Sequence, residues 1–478
     1  MKYFRKTSRA GEWRATLWYT AASLFTKAFG FLTIPLYTYL LTTGEYGYLN
    51  TYNAWIGILS VVLGLSLNSA VISIQKERKE IKAAYQSSVL GLSLISFLVM
   101  GGGILLVCQL IWKRIPGLLS LALIQSYATF VMNMILQEMV LDNRYVKYSL
   151  LSIASAVIPI LITCAILPYL FLDRRYLDVI LPKAAVSAGI MAAVMIYLFG
   201  RGKVFYNREY WRQSLYYCVP IIFHPLALSI MLQADRIMLS YFRGYEESGM
   251  YSFIYNVTLV IGVVVAALEN TWKTWFFQAA SLDRKEEKSR QIRQAGAGSL
   301  AQAVNKRARV YLVCGEAGIL TFVYLAPEFI RLLAHEAYWD SVYLTAPIAF
   351  AYILSLFYDF LVYYEYYENA TKRIAGASLL AAGINVVLNL IFIPLWGAMG
   401  AAFTTILARF AQFFLHLRTV HRMEASVLPF RLYLPFFLRS AGMTAAFLLF
   451  YRLPGIRLGI LAVYLLTRIR GIREFFQL

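Results

Sequence analysis

Charge is scarce in this 478-residue chain. Only 15% of residues are charged, and the 25 Asp and Glu are outnumbered by 45 Lys and Arg. With 60% hydrophobic residues and a mean hydropathy of +0.61, an ordinary soluble domain is excluded. Cysteine is scarce too. Cys108, Cys164, Cys218 and Cys314 lie in or near apolar runs without paired spacing, so neither a disulfide framework nor a metal site is expected. Nothing in the chain calls for a cofactor. Alternating strand patterns are missing, which argues against a barrel. Long hydrophilic loops are missing as well, apart from 278–309, so there is no room for a soluble catalytic domain and the chain is not read as an enzyme.

What remains is a series of apolar runs, each long enough to cross a hydrocarbon core of roughly 30 Å as a helix. Hydropathy gives about fourteen of them, with approximate limits 16–41, 48–74, 84–112, 118–141, 148–172, 177–199, 215–242, 250–277, 310–333, 341–367, 374–395, 398–420, 432–451 and 456–466. Pro435 and Pro454 interrupt the last two, and the final one is short. The expected fold class is an all-α polytopic membrane protein.

The net charge of +20 follows this topology. With the amino terminus inside, about 31 Lys and Arg fall in cytoplasmic segments against about 8 outside. The inner clusters are Lys2/Arg5/Lys6/Arg9/Arg14, Lys76/Arg78/Lys79/Lys82 and the stretch from Arg284 to Arg309. This excess points to anionic membrane lipid, with no nucleic-acid partner. Both termini are expected in the cytoplasm, and the first span reads as a retained signal anchor. The portion SLDRKEEKSRQIRQ of the longest inner loop reads as a solvated amphipathic helix.

An internal repeat organises the chain. TGEYGYLNTYN follows the first span and YEESGMYSFIYN the seventh, matching Glu45 with Glu247, Gly47 with Gly249, and Tyr52-Asn53 with Tyr255-Asn256. The repeat predicts two pseudo-symmetric six-helix lobes, 1–210 and 211–425, with two additional C-terminal helices in 426–478. In the sixth span, Ala184, Ala188 and Ala192, with Ala185, Gly189 and Ala193 alongside, form a small-residue stripe suited to close helix contact.

Charges within such spans are costly, from roughly 3 kcal/mol upward, so each needs a partner, water or a role. In MLQADRIMLSYF, Asp235 and Arg236 are adjacent and diverge by about 100° on a helix, so they cannot neutralise each other directly. His224 shares the face of Asp235, close to three turns earlier, and Pro220 and Pro225 can kink the span. Lys27 and Arg409 lie near the middle of spans one and twelve, whereas Lys183 and Arg439 lie nearer span ends and could snorkel. Glu269 and Lys273 have the favourable i,i+4 order for pairing. Glu138 and Asp359 are the remaining deep acids. Lys27, Arg236 and Arg409 are the candidates for binding an anionic substrate. Asp235, His224, Asp359, Glu138, Glu269 and Lys273 are the candidates for gating or coupling. The competing account is that these charges form structural ion pairs between helices. The tyrosine run YDFLVYYEYYE, 358–368, reads mostly as interfacial aromatics.

The segment TKRIAGASLLAAGINVVLNLIFIPLWGAMGAAFTT carries Thr371-Lys372, Asn385, Asn389, Ile393-Pro394, Gly397 and Gly400-Ala401-Ala402. With IPLYTYLLTTGEYG, QADRIMLSYF before EESGMYSFIY, and LENTWKTWFF, it resembles the polysaccharide-export flippases of the multidrug/oligosaccharidyl-lipid/polysaccharide exporter superfamily. That resemblance implies two six-helix lobes around a central cavity of alternating access. It also implies transfer of undecaprenyl-pyrophosphate-linked oligosaccharides from inner to outer leaflet, with a polysaccharide polymerase and other export components as partners. On this reading Asp235-Arg236 occupies the typical seventh-span motif and Lys27 the basic first-span region. The lipid II flippase branch is similar in architecture, but its characteristic arginine set is not evident. A multidrug antiporter of the same superfamily and, more remotely, a membrane-embedded glycan polymerase are the rivals.

Overall fold

In the computed structural model, residues 9–74, 79–113, 118–166, 174–290 and 299–477 are described, and their regular structure is entirely helical. Each of the fourteen expected segments contains a helix among the described residues. The first six are α1 (Arg9–Leu40), α2 (Thr43–Leu63), α3 (Lys79–Trp112), α4 (Leu119–Leu141), α5 (Tyr145–Ile166) and α6 (Arg175–Gly202). Next is α7 in two pieces, Arg208–Ile221 and Phe223–Phe242, followed by α8 (Tyr245–Arg290), α9 (Ser299–Leu333) and α10 (Thr345–Tyr367). The helical run Thr371–Met423 turns at Gly397 into α11 (371–396) and α12 (398–423). The chain closes with α13 (Phe430–Phe450) and α14 (Pro454–Phe475). Nine uninterrupted helical segments among the described residues are long and apolar enough to cross a membrane, and the bent α7 makes a tenth. Thr371–Met423 counts once among them although it holds two helices, and α1, α2 and α14 are less apolar.

The expected kink in α7 is a bend of 46° at a break over Ile222. Pro220 and Pro225 flank the break, and each lacks the N–H that an unbroken helix would use there. The inner loop is shorter than expected, because α8 runs on as helix to Arg290. That takes in the first ten residues of SLDRKEEKSRQIRQ, and its last four lie outside the described residues, as do Lys2, Arg5, Lys6, Lys76 and Arg78.

The chain divides into two compact units, Met1–Ile237 and Met238–Leu478. The division falls inside the second piece of α7, later than the limit at 210, and α13 and α14 belong to the second unit. In the first unit the core lies where α3, α4 and α6 meet the first piece of α7. Tyr85, Val89, Tyr127, Phe130, Val131 and Leu198 are buried there, and Phe97 stacks on Tyr127 at 4.6 Å. The small-residue stripe of α6 is not its packing seam: Ala184 is buried, but Ala185, Gly189, Ala192 and Ala193 are exposed within the unit. Close backbone contact occurs instead at Gly202, where a Cβ would strike the Ala83 carbonyl and Ser87.

In the second unit α10 is the central helix, packed by α8, α9, α11–α12 and α13. Trp272 of α8 is fully buried, with its ring 4.4 Å from Phe360 and 5.9 Å from Tyr311. Arg439 does not snorkel. It grips Glu316 of α9 with Nη2–Oε2 at 2.5 Å and Nε at 3.0 Å, while Ser440 donates to Glu316 at 2.7 Å. Arg457 of α14, itself buried, pairs with Glu328 of α9. Ion pairs therefore fasten the two terminal helices to α9.

The two copies of the repeat open α2 and α8. In the first, Thr42 caps α2 and Glu45 returns the bond, its Oε2 accepting from the Thr42 amide at 3.1 Å, a capping box. In the second, Glu247 is held by Arg243 at 2.9 Å and accepts the amide of Ala398 at 2.7 Å, so it caps α12 from another helix. The turn into α12 requires glycine twice over: Gly397 has φ +55°, and a Cβ would overlap the Glu247 carboxylate.

Two stability changes follow, both read as thermal melting of the purified protein in detergent. Gly397→Ala is expected to cost about 2 kcal/mol or more, from left-handed strain and a displaced cap, and an unchanged melting temperature would contradict the cap. Glu316→Ala is expected to cost about 3–5 kcal/mol by stranding Arg439, while the Glu316→Leu/Arg439→Met double variant loses much less. Equal losses in the two would remove the ion pair as the cause.

Candidate functional site

A charge at membrane depth is stabilised by what faces it, so each candidate is placed by its neighbours. In the first unit the second piece of α7 lies along α2. Ser229 donates to the Gly57 carbonyl at 2.9 Å, and Gln233 fills the space that a side chain at position 57 would take. On this piece Asp235 and Arg236 are buried, 3% and 7% exposed, so neither faces lipid. Arg236 Nη1 lies 3.4 Å from Gln233 Oε1. His224 begins the same piece just after the break, with Nδ1 buried and lacking a hydrogen bond among the described residues. Lys27 is exposed on α1 and forms no ion pair among the described residues. It is therefore not the counter-charge of Asp235.

Glu138 has a structural partner. Arg201 of α6 donates to it at 2.7 Å and to Gln86 of α3 at 3.0 Å, and one turn on Asp142 takes Lys82 at 2.5 Å and Arg144 at 3.1 Å. These contacts tie α3, α4 and α6 together. Lys183, long enough to snorkel, instead donates to Asn53 of α2 at 2.7 Å. Asn53 belongs to the repeat, so this half-buried amine–amide contact holds one copy of it against α6. The signal was present in the sequence as a lysine within an otherwise apolar span and an asparagine at a repeated position, but nothing there joined the two.

The second unit brings several candidates together. Glu269 of α8 accepts from Tyr363 Oη of α10 at 2.5 Å, and Lys273 Nζ sits 5.8 Å from the centroid of the same ring. The expected Glu269–Lys273 ion pair is absent among the described residues. Both side chains instead meet a tyrosine from another helix, which offers a hydroxyl to one and a π-face to the other. Asp359 of α10 lies within electrostatic reach of Glu269 and of Arg409 on α12. Arg409 is half-buried and donates to the neutral Gln412 at 2.9 Å, with no carboxylate within ion-pair distance among the described residues. Its positive charge therefore remains available.

One further turn along α12, His416 Nδ1 and Glu365 Oε1 are 2.9 Å apart, both side chains fully buried, with Tyr358 edge-on to the imidazole at 4.7 Å. Sequence reading overlooked this pair, because the acid sits in the tyrosine run and the histidine near a span end. That run is less exposed than the expected interfacial belt: Tyr363 and Tyr364 are buried among helices, Tyr358 and Tyr367 are half-buried, and Tyr366 is exposed. Nearby, Asn389 donates to Asn385 at 3.2 Å and receives the Thr404 hydroxyl, joining α11 to α12 behind Gly397.

The arrangement is a set of polar side chains within apolar helices. It offers cations, amides and tyrosine hydroxyls on membrane helices, and the described residues include no cluster able to hold a metal ion. Residues 13–272 match the family described as "Polysaccharide biosynthesis protein". An uncharacterized membrane protein of Haemophilus influenzae is 24% identical over 405 residues, 80% of this chain and 92% of the relative. Among solved structures, the lipid II flippase MurJ in its inward closed conformation superposes with a TM-score of 0.68 at 16% identity, covering 96% of this chain and 98% of that one. An inward-facing multidrug resistance MATE family transporter of the MOP superfamily gives a TM-score of 0.58 at 12% identity over 84% of this chain and 96% of that one. The chain is a multi-pass membrane protein with the MOP-superfamily fold, and it belongs to the polysaccharide biosynthesis protein family.

Proposed function

We propose that this protein flips undecaprenyl-pyrophosphate-linked oligosaccharide units from the inner to the outer leaflet of the cell membrane, by alternating access and with both termini in the cytoplasm. The supporting observation is Arg409: a guanidinium in the middle of a spanning helix, half-buried, bonded to a neutral amide and not to an acid. A pyrophosphate needs such a cation, and release needs it to bind weakly. Lys27 and Arg236 supply the other positive charges of the route, with tyrosine and asparagine side chains for the sugars. The polyprenyl tail stays in lipid and needs no polar contact. Asp359 and Glu269 hold Arg409 in a negative surround until cargo replaces them, and Asp235 orients Arg236. His224, at the break of α7, is placed to respond when that helix bends.

The likeness to the lipid II flippase supports a related cargo, since lipid II is itself a polyprenyl-pyrophosphate glycan. The likeness to MATE transporters supports a small-molecule antiporter as the second reading, and there Asp359 and Glu269 would face an organic cation.

Complementation of a deletion strain with Arg409→Ala, at equal protein abundance, is expected to lower surface polysaccharide about ten- to hundred-fold, the worth of one charge-assisted contact. The lipid-linked intermediate should accumulate on the inner leaflet, and Arg409→Lys should restore most of the export. Normal export by a Lys27→Ala/Arg236→Ala/Arg409→Ala triple variant would refute the cationic route. Drug efflux with no accumulated intermediate in the deletion strain would favour the antiporter.

A further inference from the structure

A second cationic feature of the second unit lies away from the spanning charges, at the membrane edge. A cavity of about 390 Å³ opens where α9 and α13 begin, lined by Asn305, Lys306 and Arg309 of α9 and by Pro429, Arg431 and Leu432 at the start of α13. We propose that this cavity binds the phosphate headgroup of an anionic phospholipid of the surrounding leaflet.

Three observations carry the assignment. First, the cavity is braced. Asn305 Nδ2 donates to the Ser426 carbonyl at 2.8 Å and its Oδ1 accepts the Leu428 amide at 2.7 Å, so one side chain fixes the turn before α13, where Leu428 takes φ +50°. Secondly, its charge is uncompensated: Lys306, Arg309 and Arg431 are exposed and form no ion pair among the described residues. Three like charges around one cavity repel each other, and an anion relieves them all. Thirdly, α13 opens at Pro429 with no side-chain cap, and Pro429, Arg431 and Leu432 line the cavity, so the positive end of the helix dipole lies beside the same space. Cations beside an uncapped helix start suit a phosphate group.

Position selects the lipid over a soluble anion. Hydropathy puts the start of the apolar spans at residues 310 and 432, so the cavity sits at headgroup depth, and Pro429 and Leu432 give it an apolar wall toward the acyl region. Basic pockets between spanning helices on the positive side of a membrane protein are where acidic headgroups bind. The proposal stands independently of the cargo.

The test is a titration of the purified full chain, in uncharged detergent, with short-chain phosphatidylglycerol, phosphatidylcholine or inorganic phosphate, read by native mass spectrometry. Phosphatidylglycerol is expected to bind saturably, with phosphatidylcholine and inorganic phosphate each at least tenfold weaker. The Lys306→Gln/Arg309→Gln/Arg431→Gln variant should lose on the order of 100-fold in phosphatidylglycerol affinity while its lipid-free melting temperature stays unchanged. An Arg452→Gln/Arg473→Gln control, which alters exposed charges elsewhere in the second unit, should bind as the unmodified chain does. Undiminished binding by the triple variant, or an equal loss in the control, would overturn the site. Inorganic phosphate binding as tightly as the lipid would overturn its assignment to a headgroup.

Discussion

A helix that begins inside a membrane protein has four amides and no water to receive them. At α12 the difficulty is acute, because the chain reverses at a single residue, Gly397, and must re-enter helix at once. Glu247 resolves it from a different helix, with Arg243 balancing the carboxylate. The hairpin of α11 and α12 depends on that contact, and Arg409 and His416 depend on the hairpin for their placement against α10. The same glutamate position in the first copy of the repeat closes a local capping box on its own helix. One residue type at one repeated step therefore serves two geometries, according to whether the amides in need are near or far in sequence.

The charged residues of the two units fall into two kinds. Glu138, Asp142, Glu316 and Glu328 are each met by arginine or lysine, and these pairs fasten helices where a lone charge would be intolerable. Asp359 lies within electrostatic reach of both Glu269 and Arg409 without closing into such a pair among the described residues. Charges left partly open in this way can change partners at low cost, and a carrier that must both hold and release its cargo needs that property.

The helices were legible because an apolar run of spanning length has few alternatives in lipid, and the kink of α7 was legible because proline removes a specific donor. Direction and partner were not. A lysine or arginine near a span end has a stem long enough to snorkel or to turn inward, and only Asn53 and Glu316, on other helices, decided the matter for Lys183 and Arg439. The i,i+4 rule knows a single helix, so it paired Glu269 with Lys273 and could not anticipate Tyr363 between them. The small residues of α6 fitted a packing pattern, yet the close approach came at Gly202, where only the path of α3 makes a side chain impossible. Composition also put the 358–368 tyrosines at the interface, whereas the central position of α10 buries Tyr363 and Tyr364.

α8 is 46 residues long, which at 1.5 Å per residue is roughly 70 Å, more than twice the hydrocarbon thickness. Glu269 and Lys273 sit about midway along it, and a helix so much longer than one crossing must extend beyond the hydrocarbon. An unbroken rod of that length behaves as a lever arm: a tilt of a few degrees at the embedded half sweeps its tip through several ångströms of water. Motion among buried side chains is thereby magnified into displacement that a soluble partner, or a spectroscopic label, can sense.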